Sequence, residues 1–310
     1  MAITPTSKIW MNGELVAWDD AKVHVLTPTL HYGWGVFEGI RAYETPRGSA
    51  IFRLSDHIAR LYRSAKIYMM EPEYTQEQFV QATKDTVLAN DIQSCYIRPL
   101  IYLGYGEMGL NPLPSRVEAS IAVWPWGAYL GEDALTKGCR VIISSWRRND
   151  VNITPPAAKA TGQYLNSSLA KVAAIKGGFD EAILTSPTGH IADGSGENVF
   201  IVEGRTLITP PLTDGALGGI TRASVMRIAK DQDYDVVEKH IVRTDLYLAN
   251  EAFFTGTAAE IVPIAEVDDR AIGTGKPGAV TREIAEIFHQ ATTGHLDRYK
   301  DWNELVADQS

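Results

Sequence analysis

Lys159 is the one charged side chain in residues 155–162, Pro-Pro-Ala-Ala-Lys-Ala-Thr-Gly. If that stretch packs inward, the amine is desolvated and its pKa falls, which makes it a nucleophile at neutral pH. Most lysines are solvated, so spacing alone leaves the surface reading open. Tyr164 offers a phenol five residues on. Gly218-Gly219-Ile220-Thr221-Arg222 stands where a helix pattern begins, so backbone N–H groups and the positive end of the helix dipole would meet an anion there. Thr255-Gly256-Thr257-Ala258-Ala259 is a second small-residue turn with hydroxyls. Each of these two also fits an ordinary loop. Asp193-Gly194-Ser195-Gly196-Glu197-Asn198 puts two carboxylates among small residues, or is simply an acidic turn. Arg98 alternates with Tyr96, Leu100 and Tyr102 on one strand face, where a charge needs a carboxylate partner or a ligand. Arg60 falls off the apolar face of its helix and reads as a surface charge. His24 and His31 are seven apart and His240, His289 and His295 are scattered, so no metal site is expected. The nucleophile elbow Gly-x-Ser-x-Gly is absent.

The elements that must position these groups begin with a hairpin over 9–16, turned at Asn12-Gly13. Strands are predicted at 23–26, 36–43 and 50–52, then a helix capped near Ser55 with Ile58, Leu61, Tyr62 and Ala65 on one face. Thr75 with Gln78 makes a capping box for a second helix ending near Asn90-Asp91. Strands at 96–103 and 119–126 complete an α+β unit over 1–126. Residues 127–138 read as a connector, and 139–310 as a second, larger domain. In it, helices are expected at 163–176, 220–230 and 279–291, and strands at 140–145, 181–186, 198–202, 206–209, 236–241 and 251–255. The strict βαβ alternation and glycine fingerprint of a dinucleotide fold are missing.

Composition narrows the function classes. At 310 residues, 45% hydrophobic and 22% charged, the chain has the make-up of a globular protein of about two domains. A net charge of −9 without like-charge runs argues against nucleic acid or an anionic membrane as partner. The longest nearly apolar stretch, 121–130, is broken by Pro125 and Gly127 and is too short to span a bilayer. Lys8 is followed only by Ile9-Trp10-Met11 before the turn, so no signal peptide is expected. Cys95 and Cys139 read as small buried hydrophobes of a cytoplasmic protein.

Taken in order, the segments resemble the branched-chain amino acid aminotransferases, fold type IV pyridoxal-phosphate enzymes of the class IV aminotransferase family. The resemblance covers nearly the whole chain. It rests on His31-Tyr32-Gly33 with Val36-Phe37-Glu38-Gly39-Ile40-Arg41, on Tyr96-Ile97-Arg98-Pro99-Leu100 and on Pro125-Trp126-Gly127-Ala128-Tyr129-Leu130. It continues through Ala158-Lys159-Ala160 with Tyr164-Leu165, residues 193–200, Gly219-Ile220-Thr221-Arg222 and Gly256-Thr257-Ala258-Ala259-Glu260-Ile261.

The resemblance implies an α+β fold with a small N-terminal α+β domain, a larger α/β domain and an active site between them. It implies that Lys159 joins covalently to pyridoxal 5'-phosphate. Arg60, Ile220, Thr221 and Thr257 would hold the phosphate, Tyr164 the ring hydroxyl, and Leu217 would pack on the ring. Asp193 stands where the family has glutamate, opposite the pyridine nitrogen; Glu197 is the alternative anion. Phe37, Met108, Trp126 and Tyr129 would line an apolar cavity in which Gly39 leaves room. Arg98 with Tyr32 would meet the distal carboxylate of glutamate, and Tyr96 with the N–H groups of Thr257 and Ala258 the α-carboxylate. Tyr32 and the loop from Met108 to Leu110 would reach in from a neighbouring subunit, implying a homodimer or a trimer of dimers. Trp34 is bulkier than the residue often found there and would narrow the entrance. The implied activity is ping-pong amino transfer between leucine, isoleucine or valine and 2-oxoglutarate in the cytoplasm; a D-amino acid or (R)-amine transaminase is the alternative. The implied partners are small-molecule substrates, with neither nucleic acid nor membrane.

Overall fold

Asn12 and Gly13, at φ 49° and 96°, supply the two left-handed residues that a tight hairpin turn needs, and join β1 (Lys8–Met11) to β2 (Glu14–Ala17). The computed structural model describes residues 3–111, 113–127 and 136–307. By its contacts the chain divides into two units, one of Met1–Trp126, Ala158–Gly162 and Gln290–Ser310, the other of Gly127–Ala157 and Gln163–His289.

The first unit carries β3 (Gly35–Phe37), β4 (Ile40–Thr45), β5 (Gly48–Phe52), β6 (Cys95–Leu103) and β7 (Val117–Trp124), and a last strand, β17 (Asn303–Leu305). Their order is β17-β5-β4-β6-β7-β1-β2, with β3 beside β6, all antiparallel. Three helices belong here: α1 (Pro28–Tyr32), α2 (Leu54–Ile67) and α3 (Gln76–Ala89). The alternation along β6 sorts its faces: Ile97 and Ile101 enter a core with Leu54, Ile58, Leu61 and Phe79, which leaves Tyr96, Arg98, Leu100 and Tyr102 on the other face. Each such fully buried aliphatic side chain contributes roughly 1.5–3 kcal/mol. The capping box of α3 forms as its sequence requires.

The second unit holds β8 (Cys139–Arg147), β9 (Glu181–Thr185), β10 (Ile191–Gly194), β11 (Asn198–Glu203), β12 (Thr206–Thr209), β13 (Asp235–Glu238), β14 (Glu251–Gly256), β15 (Glu260–Val267) and β16 (Arg270–Ala271). The sheet order is β10-β9-β8-β15-β14-β11-β12-β13, with β16 on β15; β8 runs parallel to both β9 and β15, and β12 to β13. Its helices are α4 (Tyr164–Lys176), α5 (Ile220–Asp231) and α6 (Arg243–Leu248); α7 (Ala279–Thr292) follows.

Several local expectations are corrected. Residues 23–26 form a turn closed by Thr27 N–H donating to His24 O, because Pro28 starts α1 immediately after; Val25 is left 72% exposed. The strand predicted over 36–43 breaks into β3 and β4 at Glu38-Gly39, where Glu38 N–H turns to Pro99 O. Ser55 does not cap α2. The cap position is Arg53, left-handed at φ 52°, and the Glu304 carboxylate accepts from Ser55 N at 2.7 Å and from its hydroxyl at 2.8 Å. Trp34 packs against the core of the first unit, edge-on to Tyr68 at 5.6 Å. The sequence reading passed over β10, whose Asp193-Gly194 looks like a turn, and β15, where Pro263 argues against an inner strand.

Candidate active site

In the first unit the candidate residues gather around a buried polar face of α2. His57, Arg60 and Ser64 lie three and four residues apart, so they share one side of the helix. Arg60 is therefore buried, 5% exposed, and the surface reading is corrected. Its Nε donates to Glu38 Oε1 at 2.6 Å and its Nη2 to Oε2 at 2.7 Å, while His57 Nδ1 donates to Oε2 at 2.8 Å. Burial alone would push the Glu38 carboxyl up, but Arg60 and His57 outweigh it and hold it well below the usual range. Burial moves His57 down, against the pull of Glu38, so the ring is neutral and Glu38 and Arg60 form the charged pair. Neither Glu38 nor His57 was foreseen as a site residue, although a glutamate inside the run Val36-Phe37-Glu38 was itself a signal that a buried partner exists.

Lys159 is held against this face by its backbone. Its N–H donates to Ser64 Oγ at 3.0 Å, its carbonyl accepts from Phe37 N at 3.0 Å, and Ala160 bridges Val36. The half-buried amine sits 5.1 Å from the centre of the Phe37 ring. Ala158 and Ala160 are buried on either side, so the small residues flanking Lys159 do pack inward.

The outer face of β6 forms a cationic spot within an aromatic cage. The Arg98 guanidinium carbon stands 4.7 Å from Phe37, 5.3 Å from Tyr96 and 5.9 Å from Trp124, and its Nη2 donates to the Tyr96 hydroxyl at 3.2 Å. Among the described residues no carboxylate pairs with Arg98, and its buried Nε has no hydrogen-bond partner. Trp126 stacks obliquely on Tyr96 at 5.0 Å. The space beside Gly39 is taken by Tyr96: a Cβ there would lie 1.9 Å from the tyrosine oxygen, so this glycine admits a neighbouring hydroxyl. Tyr32, Met108 and Leu110 point into solvent, Leu110 at 87% exposure. Tyr129 lies outside the described residues.

In the second unit, Asn198 is the organising residue. Its Nδ2 donates to Leu217 O at 2.9 Å, it pairs with Thr255 across β11 and β14, and it fills the space where a Cβ on Gly219 would come within 2.0 Å. This clamps the loop leading into α5, whose N-cap residue, Gly219, makes no side-chain cap. Thr221 and Ile220 are buried at that end, and Thr257 and Ala258 follow β14, half-buried. A bulge between Ile191 and Asp193 re-aims the Asp193 side chain, and Arg148 Nε donates to its Oδ1 at 2.6 Å. Arg148, 45 residues away in sequence, went unforeseen. Tyr164 opens α4, half-buried.

Glu197 is a weak candidate for the anion. Burial, then the charge of Glu181, outweigh the Gly196 N–H and Lys171 and push its carboxyl up to about 8. A raised acid binds a proton in the folded state that the unfolded chain releases from about pH 4.5 upward, so its contribution is complete below that and is lost as pH rises to about 8. Glu197→Gln is accordingly expected to gain stability over the parent at about pH 8 and little at about pH 5, read as urea midpoints. A gain equal at both pH values would refute this.

The profile of the family Amino-transferase class IV matches residues 35–267. The chain is a class IV aminotransferase. It is 48% identical over 298 residues to the branched-chain-amino-acid aminotransferase of Pseudomonas aeruginosa, covering 96% of this chain and 97% of that one. Among solved structures, the branched-chain amino acid aminotransferase of Escherichia coli superposes with a TM-score of 0.95 at 43% identity, covering 97% of this chain and 100% of that one. The branched-chain amino acid aminotransferase of Thermobaculum terrenum, solved in its PLP-bound holo form, gives a TM-score of 0.91 at 36% identity over 98% and 99% of the two chains. The α+β, fold type IV architecture expected of this class IV aminotransferase is the one its neighbours have, and its named relatives carry out amino transfer.

Proposed function

We propose that this class IV aminotransferase moves the amino group between branched-chain L-amino acids and 2-oxoglutarate, giving 2-oxo acids and L-glutamate. The observation that carries the reading is Arg98 in its cage: one strand face presents apolar rings for an aliphatic side chain and, for a distal carboxylate, a guanidinium that has no carboxylate partner among the described residues. A pocket serving both substrates needs both.

The donor set fits pyridoxal 5'-phosphate. The first turn of α5 at Ile220 and Thr221, the Thr257 hydroxyl and Arg60 suit a phosphate; Tyr164, Leu217 and Asp193 suit a hydroxyl, a ring face and a ring nitrogen. When bound, the cofactor supplies an electron sink for the charge left at the substrate α-carbon. Lys159 Nζ takes the α-proton and returns it, and Tyr96 with the Thr257 and Ala258 N–H groups orients the α-carboxylate. Phe37, Gly39, Met108, Trp126 and Tyr129 belong to the same proposed substrate site. Tyr32, Met108 and Leu110 are apolar and exposed in the single chain, which supports at least a homodimer in which a neighbour uses them. No helix among the described residues is long and apolar enough to cross a membrane. Two buried free thiols, Cys95 and Cys139, suit a reducing cytoplasm.

The test is the visible spectrum of the purified protein on adding L-leucine and then 2-oxoglutarate. The cofactor band is expected to fall with the first and return with the second. A band that ignores L-leucine and responds to D-alanine or an (R)-amine would overturn the substrate assignment.

A further inference from the structure

Away from the residues assigned to amino transfer, His190, Asp214 and His240 bring one donor atom each to within 4.8 Å of one another. We propose that they form a binding site for a divalent transition cation of the zinc class. Asp214 is 5% exposed, and the groups that face its carboxylate are the two imidazoles: His240 Nδ1 at 2.8 Å and His190 Nδ1 at 3.7 Å. A buried carboxylate needs a cation, and among the described residues neither arginine nor lysine supplies one here. The rings stack at 4.5 Å and 26°; His240 Nδ1 is hydrogen-bonded to the carboxylate, and His190 Nδ1, 3.7 Å from it, shares a 3.3 Å hydrogen bond with Thr188 Oγ1.

The three ligands come from separate segments, each fixed by its own backbone. Ile191 N–H donates to Ile241 O at 2.8 Å, which ties together the residues that follow the two histidines. His190 also closes a turn: its carbonyl accepts from Ser186 N at 2.7 Å and its N–H donates to Ser186 Oγ at 3.1 Å. Asp214 ends a short helical turn, with its N–H donating to Pro211 O at 3.0 Å, just before Gly215 at φ 93°. Ligands at about 2.0–2.2 Å from a tetrahedral ion stand roughly 3.3 Å apart, and the donors here already bracket that spacing. Two imidazoles and one carboxylate suit zinc, cobalt or nickel, whereas magnesium and calcium favour oxygen. The His240 side chain is 58% exposed, so solvent reaches the site and water can complete the coordination. A bound ion would pin the loop that runs from Asp214 to Leu217. Sequence spacing gave no hint, since the ligands come from three distant segments.

The experiment is calorimetric titration of Zn²⁺ into chelator-stripped holoenzyme, repeated with Co²⁺ and followed by its ligand-field absorption. One equivalent per chain is expected. His240→Ala and His190→Ala should each weaken binding by about tenfold or more, and His24→Ala should leave it unchanged. Because His240 lies at the surface, its variant keeps the fold and is the decisive one. No saturable uptake, or uptake that both His190→Ala and His240→Ala leave intact, would overturn the proposal.

Discussion

Lys159→Ala is expected to lower turnover of L-leucine with 2-oxoglutarate by at least about 10³-fold, because in the proposed chemistry one atom, Nζ, serves as both nucleophile and proton carrier. The loss is separable from misfolding. Lys159 is fixed by its main chain, through Ser64 Oγ and Phe37 N, and alanine keeps both bonds. The variant should therefore unfold in urea close to the parent midpoint. Steady-state kinetics with a urea titration decide it, and a variant within about tenfold of the parent rate would remove Lys159 from the chemistry.

Glu38→Ala is expected to cost about 3–5 kcal/mol of stability, since it leaves the Arg60 guanidinium buried without its carboxylate. Glu38→Gln should fall between, retaining one acceptor oxygen while losing the charge. Adding Arg60→Met to Glu38→Ala should recover part of the loss, because the stranded charge is then gone. Equal stability of Glu38→Ala and the parent in urea would show that the pair contributes nothing. The pH dependence has a definite sign. With Glu38 held below the usual range, its contribution is complete above ordinary carboxylate titration and drains away only as the pH falls into strong acid.

Local chemistry was legible where neighbours in sequence are neighbours in space. Asn12-Gly13 announces its hairpin, Thr75 and Gln78 their capping box, and the glycine pair before Ile220 the start of α5. Order and residue type also gave the family, because each motif keeps its place along the chain. Contacts across the sequence stayed hidden. Arg60 looked like a surface charge because Glu38, 22 residues earlier, is what buries it. Asp193 looked like part of a turn because a bulge and an arginine 45 residues away define its setting. Ser55 looked like a cap because the Glu304 carboxylate that accepts from its N–H and hydroxyl lies 249 residues away. Periodicity sees one face of a helix, and α2 buries two.

That last contact bears on how the protein is made. Glu304, which closes the start of α2, and β17, which covers the edge of β5, are translated 249 residues after Ser55. During synthesis β5 offers bare N–H and C=O groups to the crowded surroundings of the ribosome, a condition that invites pairing with another nascent chain. Chaperone demand should concentrate in that interval. A stop codon before residue 303 would yield a polypeptide that carries every residue assigned to amino transfer and still lacks the strand that seals its first sheet.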